Sequence, residues 1–242
     1  MSSNTWTPAA VASEARAWAG NLWRAVEAQH RVSTLKLVDT LAEQLQLEQL
    51  LESSKPALPD KSAARHYLLV TPFRYAAPLP GGSRFRGLND SGVFYAADER
   101  RSACAELGYW RWRFLQDSPA LSRLEAVPHT LFRVGAAGRT IDLAAPPFVR
   151  DAPRWMARRD YSACQSLGIA ARAANVEVIR YRSVRDPEAG ACAAVLLPGA
   201  LAQQPDEEQT WHLSVTRERG QWRRDSVLHD ERFEFDALIQ SG

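Results

Sequence analysis

Arg84, Tyr95 and Glu106 follow one another at intervals of eleven residues, in a loop, a short strand and a helix respectively. Glu106 lies beside the apolar stripe Ala103, Leu107, Trp110 and Phe114. A carboxylate at the edge of a buried face is costly unless it has a partner or a task. Spacing alone favours the partner, an ion pair with Arg113 or another arginine. Tyr95, in V-F-Y-A-A, reads as a core aromatic. Arg74 follows Phe73 at a strand end, where a charge is ordinarily solvated. Ser183 closes V-I-R-Y-R-S and suits a turn, and Arg185-Asp186 reads as a surface pair. The chemistry available to such a set is an anion grip by arginines around one carboxylate, because a guanidinium holds phosphate or carboxylate with two parallel donors.

The elements that must position these residues fall into an arm, a core and a tail. Residues 8–53 read as helical: Pro8 opens the segment, Trp18, Leu22, Ala25 and Val26 recur at helical spacing, and a second stretch carries Leu37, Leu41, Leu45 and Leu47–Leu51. Lys55–Arg65 is a polar linker with two prolines. The expected division is a helical extension over 1–60 and a second domain over 61–242, its core at about 66–200. Within it, residues 66–75 read as a strand, V-F-Y-A-A as a second, and 99–115 as a helix capped by Asp98. Residues 130–143 read as strands broken at Gly135–Gly138. Asp160 is placed to cap a helix over 161–174, strands follow at 176–184 and 193–198, and 211–218 with 221–228 suit a hairpin about Gly220. The fold class is α+β, a mixed core of short strands flanked by helices.

Other signals exclude. The chain has 242 residues, 45% of them hydrophobic and 24% charged, which suits a globular protein with a real core. A net charge of +2 gives no broad field for nucleic acid or an anionic membrane. All but three of the 30 basic residues, Lys36, Lys55 and Lys61, are arginines, a bias that GC-rich coding also produces. Phosphate-loop, dinucleotide-fold, zincin and serine-hydrolase motifs are absent, and Gly81-Gly82-Ser83 reads as a turn. The five histidines are scattered and Cys104, Cys164 and Cys192 form no C-x-x-C pair, so no metal is expected. No signal peptide or membrane span is visible, and the expectation is a soluble, cytoplasmic protein.

Taken together, HYLLVTPFRY, GSRF, GVFYAADERRSACAELGYWRWRFL, TIDLAAPPF, YSACQSLGIAARAANVEVIRYRSVRD and AAVLLPGA resemble, in order, the RES-domain family, toxins of bacterial toxin–antitoxin pairs. The resemblance covers roughly residues 66–200. VEAQHRVSTLKLVDTLAEQ and KPALPD resemble the extension of one branch. By matching position Arg84 is the family arginine, Glu106 the glutamate and Ser183 the serine, with Arg74 and Tyr95 as further pocket residues. Many members write the arginine motif G-R-W-N. Here Gly82-Ser83-Arg84-Phe85-Arg86-Gly87-Leu88-Asn89 offers two arginines, of which Arg84 keeps the spacing to Tyr95 and Arg86 is the reserve.

The resemblance implies an ADP-ribosyltransferase-like fold and an enzyme that consumes NAD at the nicotinamide–ribose bond, without a metal. That cleavage develops oxocarbenium-like charge on the sugar, so Glu106 is expected beside the ribose, Arg74 and Arg84 on the pyrophosphate, Tyr95 against the nicotinamide or its ribose, and Ser183 on the nicotinamide or on Glu106. Water or phosphate as acceptor makes a glycohydrolase or phosphorylase. A protein acceptor makes an ADP-ribosyltransferase, and an inactive RES-fold binding module is the non-enzymatic alternative. The implied partner is an Xre-type helix-turn-helix antitoxin, with no direct nucleic-acid or membrane contact and a homo-oligomer left open.

Overall fold

A computed structural model describes residues 6–28, 38–53, 65–74 and 81–236. Helix α1 (Pro8–Glu14) starts where Thr7 accepts the Ala10 N–H and Pro8 fills the first turn. It is followed by strand β1 (Arg16–Glu27) rather than a continuing helix. The misreading has a physical cause. Leu22 packs into one core cluster and Trp23 and Ala25 into the other, so the strand is buried on both faces there and shows no simple alternation. Helix α2 (Leu41–Ser53) matches the second expected helix. Nearly all of the expected linker, and Leu37, lie outside the described residues.

Helix α3 (Tyr67–Arg74) occupies the segment expected as a strand. Its buried residues Leu68, Leu69, Val70 and Phe73 form an apolar run too short for its period to decide between the two states. Strand β2 (Phe94–Ala97) leads into helix α4 (Arg100–Gln116). Glu99, not Asp98, takes the capping position, and Asp98 instead grips Arg180 through both oxygens at 2.5 and 2.6 Å. Strand β3 (Arg123–Asp142) runs unbroken through Gly135–Gly138 because β1 pairs along it. A Cβ on Gly138 would lie 2.6 Å from the Glu177 carboxylate, which accepts the Arg139 N–H. That glycine admits a neighbour rather than ending a strand.

Short helical turns over Phe148–Asp151 and Ala152–Trp155 precede helix α5 (Ser162–Ala173), whose Ser162 N–H is accepted by Asp160 at 2.9 Å. Strands β4 (Val178–Arg182), β5 (Ala191–Val195), β6 (Glu207–Thr216), β7 (Arg219–Arg224) and β8 (Arg232–Asp236) complete the described chain. The β6–β7 hairpin forms as expected, but its turn is Arg217-Glu218 and Gly220 lies within β7. Strand β8 has no counterpart in the sequence reading.

The eight strands run in the order β1-β2-β5-β4-β3-β6-β7-β8, and β1 also pairs with β3 along its whole length. The ladder β1-β2-β5-β4-β3 therefore returns on itself, with β6-β7-β8 continuing from the first half of β3. Among the described strands only β3–β4 is parallel. Helix α4 covers one core with Ala103, Ala105, Tyr109, Trp112 and Leu115, against Ile179, Trp211 and Trp222. Helix α3 covers the other with Leu68, Leu69 and Phe73, against Phe94, Phe132 and Val195. The fold is α+β, and no described helix is long and apolar enough to cross a membrane.

Candidate active site

Helix α4 carries Glu106 half-buried on its sheet-facing side, and the hairpin after β4 brings Ser183 to it. The Ser183 hydroxyl donates to Glu106 Oε1 at 2.6 Å. It also accepts the N–H groups of Arg185 at 3.1 Å and Asp186 at 3.0 Å. With both lone pairs engaged, its single proton has one destination, the carboxylate. Glu106 forms no ion pair among the described residues, and Arg113 pairs instead with Asp117 at 3.0 Å.

The hairpin is itself fastened to α4. Asp186 accepts Ser102 Oγ at 2.6 Å, Arg101 Nε at 3.0 Å and the Glu188 N–H at 3.2 Å. Burial pushes its carboxyl pKa up, but these donors outweigh burial and hold it below the ordinary value. Ser102 stands one helical turn before Glu106, so one clamp sets the register of both. Arg185 and Asp186, expected at the surface, are 3% and 5% exposed. A surface pair is what the two residues look like in isolation. Closure of the hairpin on α4 is what buries them.

Tyr95 on β2 accepts the Phe85 N–H at 2.9 Å and shares a hydrogen bond with Ser83 Oγ at 2.8 Å. Burial pushes its phenol pKa up. It thereby fixes the turn that carries Arg84. Gly82 is required there: its φ is +65° and a Cβ would meet the Arg86 carbonyl at 2.2 Å. Arg84 donates through Nη1 to the carbonyls of Trp155 at 2.7 Å and Ala157 at 3.1 Å, with Tyr161 under its guanidinium at 4.7 Å. Arg86 points elsewhere, to the Asp90 carbonyl at 2.9 Å.

Ser83, Arg84, Tyr95 and Glu106 line one cavity of about 200 Å³, and Ser183 supports it through Glu106. Arg74, at the end of α3, does not line it. Among the lining residues that sequence reasoning missed are Arg24, Arg185 and Tyr161. Arg24 donates to the Tyr95 carbonyl at 2.6 Å and lies over the Phe94 ring at 4.7 Å. Its buried Nε has no partner among the described residues, and burial pulls its pKa down to about 10, still charged at neutrality. Nothing in the local sequence around Arg24 marks it, because Leu22, Trp23 and Ala25 read equally well as the apolar face of an ordinary element. Three guanidiniums thus line the cavity against one carboxylate.

Residues 55–216 match the family described as RES domain. A crystal structure of the M. tuberculosis MbcT–MbcA toxin–antitoxin complex is similar over 85% of this chain and 91% of that chain, with 14% identity and a TM-score of 0.46. No curated protein matches.

Proposed function

Because the chain belongs to the RES-domain family, we propose that it is the toxin of a toxin–antitoxin pair that binds NAD in this cavity and cleaves the nicotinamide–ribose bond. The observation that carries the reading is the Glu106 carboxylate, aimed by Ser183 into a cavity lined by Arg24, Arg84 and Arg185. A dinucleotide supplies what that surplus of positive charge lacks, the two negative charges of a pyrophosphate. As the glycosidic bond lengthens, positive charge grows on the ribose, and a preorganised carboxylate stabilises it without reorganising. A cavity of about 200 Å³ is smaller than the roughly 300–1,000 Å³ of typical ligand pockets. It suits the nicotinamide–ribose end, with the adenylate outside. In this reading Arg84 keeps its expected place on the pyrophosphate, and Arg24 and Arg185 stand where Arg74 was expected.

The test is the purified chain incubated with NAD, with and without phosphate, and the products identified. Free nicotinamide with ADP-ribose marks a glycohydrolase, and a phosphorylated ADP-ribose marks a phosphorylase. Label retained on protein marks a transferase. An intact NAD pool after prolonged incubation sinks the reading. In cells, expression without the neighbouring gene is expected to slow growth as NAD falls. Co-expression of a neighbouring helix-turn-helix antitoxin is expected to restore both.

A further inference from the structure

Residues 155–161 join the short helix Ala152–Trp155 to α5, and two cavity arginines hold this segment by its backbone. Arg84 Nη1 takes the Trp155 and Ala157 carbonyls. Arg185 Nη2 takes the Arg158 carbonyl at 2.6 Å and the Tyr161 hydroxyl at 3.3 Å. Tyr161 touches both, its ring under Arg84 and its hydroxyl on Arg185, while Arg185 stacks on Tyr109 at 3.4 Å. Neither guanidinium forms an ion pair among the described residues. The Cys164 thiol also meets Arg84. Arg84 thus spends Nη1 on the segment, and its parallel Nε–Nη2 edge is the one suited to a phosphate, whereas Arg185 spends Nη2 and offers Nε and Nη1 only as single donors on different edges.

We propose that residues 155–161 are a strap whose order is coupled, through Arg84 and Arg185, to a diphosphate in the cavity, with Tyr161 as the positioning residue that joins the two arginines. The proposal rests on the NAD reading and deepens it. A diphosphate on the Nε–Nη2 edge of Arg84 and beside the positive charge of Arg185 fixes both guanidiniums where the strap requires them, and a formed strap fixes them where the diphosphate requires them. Coupling of this kind is reciprocal. Ligand tightens the strap and an intact strap tightens the ligand.

Trypsin reads the strap directly, since Arg158 and Arg159 lie within it. The full chain carrying Glu106→Gln, which spares NAD from turnover, is digested with and without saturating NAD or inorganic pyrophosphate, and NAD binding is measured by calorimetry. NAD and pyrophosphate are each expected to slow cleavage after Arg158 and Arg159 about fivefold or more. Adding Tyr161→Ala is expected to abolish that protection and to weaken NAD binding about tenfold. Tyr161→Phe, which keeps the ring on Arg84 and drops the bond to Arg185, is expected to fall between, and it carries the test if Tyr161→Ala fails to fold. In the otherwise unaltered enzyme Tyr161→Phe is expected to raise KM and spare kcat. Bound NAD with unchanged cleavage overturns the strap and leaves the NAD reading standing. No NAD binding by calorimetry overturns both.

Discussion

Replacing Glu106 by Gln keeps the side chain's shape and its acceptor oxygen for Ser183 but removes the charge that, in the proposed reading, stands opposite the developing oxocarbenium. Losing one preorganised electrostatic contact of this kind costs about 3–4 kcal/mol, roughly a hundred- to a thousandfold in kcat. Glu106 has no ion pair among the described residues, so the melting temperature is expected to hold. A destabilised variant with full turnover would overturn the catalytic role. Arg84→Ala is expected to behave differently, because in the proposed reading Arg84 meets the pyrophosphate, which carries the same charge before and during bond cleavage. A contact made equally in both states sets binding rather than rate. KM is therefore expected to rise far more than kcat falls. Steady-state kinetics on the two variants separate the roles, and a pure kcat loss for Arg84→Ala would place that arginine at the reacting bond instead.

At the scale of elements, the site depends on how closely the hairpin 183–190 approaches α4. A Cβ on Gly190 would stand 2.0 Å from Ser102 Oγ and 2.9 Å from Asp186 Oδ2. Gly190→Ala must push the hairpin off the helix or break the Asp186 clamp, an overpacking cost of about 1–3 kcal/mol. The expected result is a lower melting temperature together with a lower kcat per folded molecule, although no residue of the cavity lining is touched. A destabilised variant with unchanged kcat would show that the clamp does not aim Glu106. Such long-range fastening explains what was legible in the sequence. Helix α4, strands β2, β4 and β5 and the β6–β7 hairpin follow from local pattern and turn chemistry. Strand β1 and helix α3 do not, since burial on both faces erases the strand period and a short apolar run fits either state. The same holds inside the cavity. Glu106 announces itself as a carboxylate beside an apolar stripe, whereas Arg24 and Arg185 acquire meaning only when β1 closes on β2 and β3 and the hairpin meets α4.

For the whole molecule, His129 links global stability to pH. It sits on β3, paired with Glu27 of β1 on one side and Trp211 of β6 on the other, with Trp222 of β7 edge-on at 5.0 Å. It is 0% exposed. The Val127 carbonyl accepts from Nδ1 at 2.9 Å, so Nδ1 carries the proton of the neutral ring, and Nε2 is buried with no partner among the described residues. Protonating Nε2 places an uncompensated charge in the core. Burial, reinforced by Arg111 and His212 and only partly opposed by the Val127 bond, lowers the pKa from 6.5 to about 4. The unfolded chain therefore binds more protons than the folded one between those two values. Stability is fully present above pH 6.5 and is lost as the pH falls toward 4, by up to about 3 kcal/mol. For a chain of this size that is a fall of roughly 6–12 °C in melting temperature. His129→Phe keeps the ring contact with Trp222 and cannot titrate. It is expected to melt lower than the parent at pH 7, having lost the Val127 bond, and to lose far less on going to pH 4.5. An equally steep acid dependence in His129→Phe would assign the acid sensitivity to carboxylates instead.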